Sequence, residues 1–159
     1  MKPMRRTDKL KSEDFGKSVI AQAEYGILSL VDEMGNPYAV PISHVLVDNT
    51  IYIHGAHSGT KLDLIAQHSR VCFTCVSSTY LIAQEFTTDY ESAIAYGDAS
   101  VVDSDEEKDR ALDAIVQKYA PEFPREAEKY IQKHYSATTV IKIEIDYITA
   151  KAQHMKEKS

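Results

Sequence analysis

The sequence has no tryptophan, only two cysteines and six glycines among its 159 residues, and it contains no long run of apolar residues. A membrane-spanning helix needs about 20 consecutive apolar residues, so none is predicted. Acidic residues outnumber basic ones, 24 to 18, which gives a formal net charge of -6. Because binding along a nucleic-acid backbone requires a basic surface, no nucleic-acid partner is expected. With 43% hydrophobic residues, the whole chain (1–159) is typical of a single globular domain.

The two cysteines, Cys72 and Cys75, have the C-x-x-C spacing of redox and zinc motifs. The residues around them are typical of a β-strand, in which residues three apart point to opposite faces of the sheet. The two thiols are therefore expected to be unlinked, and no metal site is predicted. Unlinked thiols favour a reducing compartment, and the polar stretch at 7–9 is unlike the apolar core of a signal peptide. We therefore expect a cytoplasmic protein.

The segment His-Gly-Ala-His-Ser-Gly-Thr-Lys, residues 54–61, connects a predicted strand to a predicted helix. The first N–H groups of a helix have no partner inside it and carry the positive end of its dipole, so they can bind a phosphate group. Gly59 allows close approach of the backbone to an anion, Ser58 offers a hydroxyl and Lys61 supplies a positive charge. The spacing matches neither a Walker A loop nor a dinucleotide-binding loop, and a plain turn without a ligand is the alternative.

The remaining pattern predicts a mainly β protein. Ser12 caps a helix at about 12–25, and a capping box at Ser104 starts a helical region at about 104–134. Strands are predicted at 27–31, 38–47, 51–53, 71–83, 91–102 and 138–148. These six strands do not alternate regularly with helices, which favours a small antiparallel β-barrel with peripheral helices.

Pro41 lies inside the second predicted strand. Proline has no N–H group and cannot donate a hydrogen bond to a neighbouring strand. This part of the chain is therefore expected to form an edge strand, to contain a bulge, or to lie beside something other than a strand. A flat ligand could occupy such a gap.

Four segments of the chain form an ordered series: residues 4–6, 26–43, 51–61 and 86–97. In this order and spacing they resemble the flavin-binding split-barrel proteins related to pyridoxamine 5'-phosphate oxidase, and within them the nitroimidazole-resistance (Nim-type) branch. The strand at 138–143 also fits the pattern, so the resemblance covers most of the chain. It implies a split β-barrel homodimer that holds FMN in a cleft at the subunit interface, with both chains contributing to each site.

The resemblance also implies a set of FMN-binding residues. The first group lies along the edge of the isoalloxazine ring, and the second belongs to the phosphate turn: Pro41, Ile42 and Ser43; Ala56, Ser58, Gly59 and Lys61. Tyr90 and Ser92 are further candidates that would complete the flavin site. The alternative for these last two is a barrel strand with an interface role only.

His54 is the candidate catalytic residue, because the Nim-type branch is associated with a histidine near the flavin and with the reduction of nitro groups. His44 and His57 are weaker candidates. The chain lacks the larger set of arginines and lysines found in pyridoxamine phosphate oxidases, so oxidation of vitamin B6 is not expected. The resemblance instead implies a flavin-dependent reductase of nitroaromatics, quinones or another small electron acceptor. A flavin or haem carrier without turnover and an interaction protein with an empty cleft are the alternatives.

Overall fold

The computed structural model describes residues 5–154, so Met4, the first residue of the N-terminal matching segment, lies outside it. Within this range the chain forms four α-helices and eight β-strands. The helices are α1 (Glu13–Gln22), α2 (Thr60–Gln67), α3 (Asp105–Tyr119) and α4 (Pro124–His134). The strands are β1 (Leu10–Lys11), β2 (Tyr25–Val31), β3 (Pro37–Ser43), β4 (Val45–Val47), β5 (Thr50–Ala56), β6 (Arg70–Ile82), β7 (Thr87–Val101) and β8 (Thr138–Gln153).

All eight strands belong to one antiparallel sheet with the order β3-β2-β6-β7-β8-β5-β4, in which β1 pairs additionally with β8. The mainly β open barrel with peripheral helices is confirmed, but the predicted number of six strands is wrong. One missed strand, β1, has only two residues and is too short to show a periodic pattern. The other arises because the predicted strand 38–47 is broken at His44 into β3 and β4.

The break separates the two edges of the sheet. Ser43 at the end of β3 pairs with Tyr25 of β2, whereas Val45 at the start of β4 pairs with Tyr52 of β5. If the pairing of β4 continued backwards, Ser43 would lie opposite His54, but β3 has already turned towards β2. The chain thus crosses from one edge of the sheet to the other through a single residue. We call the gap that opens between β3 and β5 the split.

The core lies in two layers on either side of the sheet. The inner layer fills the barrel with residues such as Phe73 and Ile53, and α1 covers it with Val19 and Ile20. The outer layer packs α3 against β5 and β8. Successive side chains of a strand point to opposite faces of the sheet, so Tyr52 belongs to this outer layer whereas its neighbour Ile53 belongs to the inner one.

The first helix ends at Gln22, before its predicted end at about residue 25. Gly26, which follows that predicted end, lies within β2, where a Cβ atom would come within 2.2 Å of the Phe73 ring. Cys72 and Cys75 differ in burial as expected for opposite faces of β6, and both are free thiols. Burial raises the pKa of the Cys75 thiol to about 12, so this thiol stays protonated. None of the helices within residues 5–154 is long and apolar enough to cross a membrane.

Candidate functional site

The turn between β5 and α2 has the geometry of an anion site. Gly59 is the N-cap of α2 and has a φ of +136°, a backbone conformation that residues with a side chain rarely adopt. No side chain among the described residues caps α2, so the first N–H groups of the helix can donate hydrogen bonds to a ligand. A Cβ atom at Gly59 would meet no atom within 4 Å, which shows that the backbone here borders open space. The helix predicted to follow this turn is present as α2.

The side chain of Lys61 folds back over Gly55. A Cβ atom built on Gly55 would lie 3.1 Å from the Nζ atom of Lys61 and 3.3 Å from its Cε atom. A residue with a side chain at this position would therefore displace the ammonium group. Gly55 allows the positive charge to rest over the last residues of β5, beside the N-terminus of α2.

His54 lies next to this charge on an exposed part of β5. Its pKa is lowered from the ordinary value, first by desolvation of the ring and second by the ammonium group of Lys61. Both effects disfavour the protonated ring, so the imidazole is mainly neutral at pH 7. A neutral imidazole still carries one N–H group and can donate a hydrogen bond to an acceptor oxygen.

The other two histidine candidates make structural contacts. The two ring nitrogens of His57 contact the Thr139 hydroxyl, at 2.6 Å, and the Ser136 carbonyl, so this ring ties the turn to the start of β8. His44 is completely buried, with its Nε2 atom 2.7 Å from the Ile20 carbonyl oxygen. Burial lowers the pKa of His44 to about 4. Neither ring is presented to a ligand in the split.

The strand that carries Pro41, Ile42 and Ser43 is an edge strand, which is one of the three arrangements predicted from the proline. β3 pairs only with β2 on one side. On the other side of the split, β4 pairs with β5 no further than Tyr52. Residues 53–56 pair with β8 along one edge, and their other edge, which faces the split, has no strand partner. Two strand edges with unpaired backbone groups therefore border the same gap. Such edges can hydrogen-bond a flat polar molecule that lies between them.

Tyr90 and Ser92 lie far from this turn within one subunit. Tyr90 pairs with Gln153 at the end of β8, whereas Ala56 pairs with Thr138 at its beginning. These two positions are fifteen residues apart along β8, which corresponds to roughly 50 Å of strand path at about 3.3 Å per residue. The structure therefore brings the split and the turn together but not Tyr90 and Ser92.

We call the place where His44 joins β3 to β4 the closed end of the split, and the place where the turn and α2 begin its open end. Tyr119 and Lys118, which the sequence analysis did not identify, stabilise the closed end. The Tyr119 hydroxyl accepts a hydrogen bond from the His44 N–H at 2.9 Å, and it also contacts the carbonyl oxygens of His44, at 2.8 Å, and Glu24. The ammonium group of Lys118 donates to the Ala23 carbonyl at 2.8 Å. Tyr119 is separated from His44 by 75 residues, so only the amphipathic pattern of α3 was visible in the sequence.

One cleft lies away from the site, and a smaller cavity lies beside it. The larger cleft, about 590 Å³, lies where β6 extends beyond β2, and none of the residues predicted to bind FMN lines it. The smaller cavity, about 130 Å³, lies between α3, α4 and the start of β8, and His54 forms part of its wall. Within residues 5–154, no group of three or more His, Cys, Asp or Glu side chains is placed to hold a metal ion.

Comparison with solved structures shows the same fold in flavin and haem proteins. A candidate 5-nitroimidazole antibiotic resistance protein from Bacteroides thetaiotaomicron is 27% identical, with a TM-score of 0.75, over 90% of this chain and 85% of that one. The FAD- and haem-binding protein from Mycobacterium smegmatis is 22% identical, with a TM-score of 0.78, over 95% and 76%. The flavocytochrome Anf3 from Azotobacter vinelandii is 17% identical, with a TM-score of 0.78, over 98% and 76%.

No curated protein matches the chain. The family model described as pyridoxamine 5'-phosphate oxidase, however, matches residues 16–152, which is most of the sequence. The match includes β3, the turn, α2 and the long strands β6 to β8. The chain therefore belongs to the pyridoxamine 5'-phosphate oxidase family.

Proposed function

We propose that this protein binds FMN in the split between β3 and β5 and reduces small aromatic electron acceptors, such as nitroaromatics or quinones. One observation carries the proposal: the helix start at Gly59, the Lys61 ammonium and two unpaired strand edges adjoin at one end of the split. The first two suit a phosphate group, and the strand edges suit a flat polar ring. FMN combines both features in one molecule.

The donors at the turn suit a phosphate monoester. The unpaired N–H groups at the start of α2 and the Lys61 ammonium both favour an anion, and hydrogen bonds to charged groups are stronger than neutral ones. Residues 51–61 contain one lysine and no arginine. This set is sufficient for one phosphate group, but it is small for an enzyme that must also bind a phosphorylated vitamin B6 substrate. We therefore infer a different substrate from the one in the family description.

When bound, FMN supplies two-electron redox chemistry that no protein side chain offers. The residues of the chain orient the cofactor and hold protons. Reduction of a quinone to a hydroquinone takes up two electrons and two protons, and negative charge develops on the acceptor oxygen. The His54 imidazole can stabilise that charge with a hydrogen bond or a proton, whereas Lys61 is engaged by the phosphate.

The proposal includes a homodimer. Tyr90 and Ser92 can contribute to an FMN site at the turn only from a second subunit, because β8 separates them from it within one chain. The hairpin formed by β6 and β7 also exposes large apolar side chains: Tyr80 is 71% exposed, Leu81 70% and Phe86 98%. A second subunit could cover this surface.

The relatives supply further support. The match to a candidate nitroimidazole resistance protein favours nitro compounds as acceptors, and the FAD- and haem-binding relatives make a cofactor carrier the second candidate. The free thiols of Cys72 and Cys75 fit the expected cytoplasmic location.

The absorbance spectrum of the purified protein and titration of the cofactor-free protein test this proposal. We expect a flavin spectrum, tighter binding of FMN than of riboflavin, and oxidation of the dithionite-reduced protein by a nitroaromatic. A haem spectrum, or equal affinity for FMN and riboflavin, would contradict the assignment of the phosphate turn. A flavin spectrum without turnover would favour the carrier.

A further inference from the structure

We propose that the cavity beside His54 binds the ring of the electron acceptor and limits it to a single aromatic ring. This inference rests on the proposed function, and it adds where the acceptor binds and which acceptors are excluded. The cavity adjoins the split at His54, which lies on the part of β5 that β4 does not cover, and it extends under α4 on the side of β5 that faces α3.

The lining of the cavity is mostly apolar. Leu112, Ile115 and Val116 of α3 form one wall, and Ile131 of α4 faces them. His54 lies in the same lining and is the polar group supplied by β5. A ligand with an apolar ring and one polar oxygen matches this distribution, with the oxygen directed to His54.

The size of the cavity limits the number of fused rings that a bound ligand can have. Its volume is about 130 Å³, and an apolar protein cavity of about 150 Å³ is known to take up benzene. A five- or six-membered ring therefore fills the available space. A fused two-ring compound of the naphthalene type exceeds it.

The α4 wall adds aromatic contacts. The rings of Tyr130 and His134 lie 4.5 Å apart with a tilt of 41°, and both residues line the cavity. An aromatic ligand can pack against their faces or edges. Flat aromatic ligands are thus favoured over aliphatic ones of the same volume.

The same wall leaves the cavity accessible from solvent. None of the residues of α4 is fully buried, and the Tyr130 side chain is 67% exposed. The C-terminal end of the helix is tied to β8, where the Thr138 hydroxyl donates to the His134 carbonyl at 2.9 Å. A ligand can therefore enter beside Tyr130 without displacement of the helix, and the volume of the cavity still sets the size limit.

Binding can be measured without turnover, by following the methyl NMR signals of Leu112, Ile115 and Val116 in the FMN-loaded protein. We expect nitrobenzene to shift these signals, and 1-nitronaphthalene to leave them unchanged at the same concentration. Equal effects of the two compounds, or no effect of nitrobenzene, would overturn the proposal.

Variants that fill the cavity provide a second test of the proposal. Ile131→Phe places a larger side chain in the cavity and should weaken nitrobenzene binding by about tenfold or more. Lys133→Phe introduces the same residue on the exposed side of α4 and should leave the affinity unchanged. If Ile131→Phe does not fold, Val116→Phe fills the cavity from α3. Unchanged nitrobenzene affinity in a folded filling variant contradicts the proposal.

The two proposals can fail separately. Nitrobenzene binding in the cavity without reduction would refute the proposed reductase activity and retain the cavity as an aromatic site. Reduction of nitrobenzene and 1-nitronaphthalene at equal rates, unaffected by the filling variant, would refute the cavity and retain the reductase.

Discussion

The closed and open ends of the split differ in how their polar groups are satisfied. At the closed end, the His44 backbone is bonded by Tyr119 and its ring is packed against Phe73, with centroids 4.8 Å apart, so that only the buried Nδ1 atom of the ring lacks a hydrogen-bond partner among residues 5–154. At the open end, the start of α2 has no side-chain cap, and the Lys61 ammonium rests over a glycine. Residues at the closed end therefore determine the shape of the gap, whereas those at the open end remain available to a ligand.

The two histidines illustrate the same contrast. Both have a lowered pKa, and desolvation is the larger cause in each. His44 is buried in the protein interior, while His54 is exposed. A neutral ring supports folding in the first case and is available for chemistry in the second. The contrast can be tested by changing each end in turn.

The largest expected effect is the dependence of the free energy of unfolding on pH, which arises from His44 at the closed end. The pKa of His44 is about 4 in the folded protein and about 6.5 in an unfolded chain. The unfolded state therefore binds the extra proton first as the pH falls, and the free energy of unfolding should decrease between pH 6.5 and pH 4. The loss is about 3 kcal/mol.

Urea unfolding at several pH values measures this loss. His44→Gln removes the titrating ring, so its free energy of unfolding should depend less on pH in this window, by about the same 3 kcal/mol. His68→Gln, at an exposed position, is the matched control. Parallel pH curves for the wild type and His44→Gln would show that burial of His44 does not limit stability in acid.

The next effect concerns catalysis at the open end. His54→Ala should keep its flavin colour but reduce acceptors on the order of 10²-fold more slowly, the low end for loss of a general acid. Because the pKa of His54 is lowered, the part of the rate that depends on its protonated form should rise as the pH falls below about 6.5. Stopped-flow reoxidation of the dithionite-reduced protein by a nitroaromatic measures both effects. An unchanged rate would make His54 a structural residue.

A smaller effect is expected for Lys61→Ala, which should weaken FMN binding by about 1 to 3 kcal/mol through loss of a charged hydrogen-bond partner. Riboflavin binding should barely change, since riboflavin has no phosphate. Fluorescence titration with the two flavins gives both affinities. Equal losses for FMN and riboflavin would assign Lys61 to the scaffold.

The smallest effect is expected for Tyr119→Phe, which removes the hydroxyl that bonds the His44 peptide. We expect the free energy of unfolding to fall by about 1 kcal/mol, because Tyr119 is 39% exposed and water can replace part of the contact. Urea unfolding at pH 7 measures the change. A loss above about 3 kcal/mol would mean that the hydroxyl holds the whole closed end together.

The open end was easier to predict from the sequence than the closed end. The strand, the glycines and the lysine at 51–61 are adjacent in the chain, and Pro41 restricted its segment to three arrangements that included an edge strand. The break at His44 was not predicted, because only the polar pair Ser43 and His44 interrupts the strand-like residues of 38–47 and no glycine or Asn-Gly turn marks it. Its cause lies in contacts with Ile20 and Tyr119, which are distant in the sequence. Local patterns report hydrogen bonds that a segment can make by itself, not those imposed on it by packing.

The length of β8 has a genetic consequence. One end of this strand pairs beside the turn, and the other end pairs with Tyr90. In the proposed dimer, the two ends of each β8 therefore belong to different FMN sites. A subunit carrying Lys61→Ala and a subunit with its Tyr90 and Ser92 replaced would each be defective alone. Mixed dimers of the two would combine both lesions in one site and leave the other intact, so co-expression should restore activity through complementation.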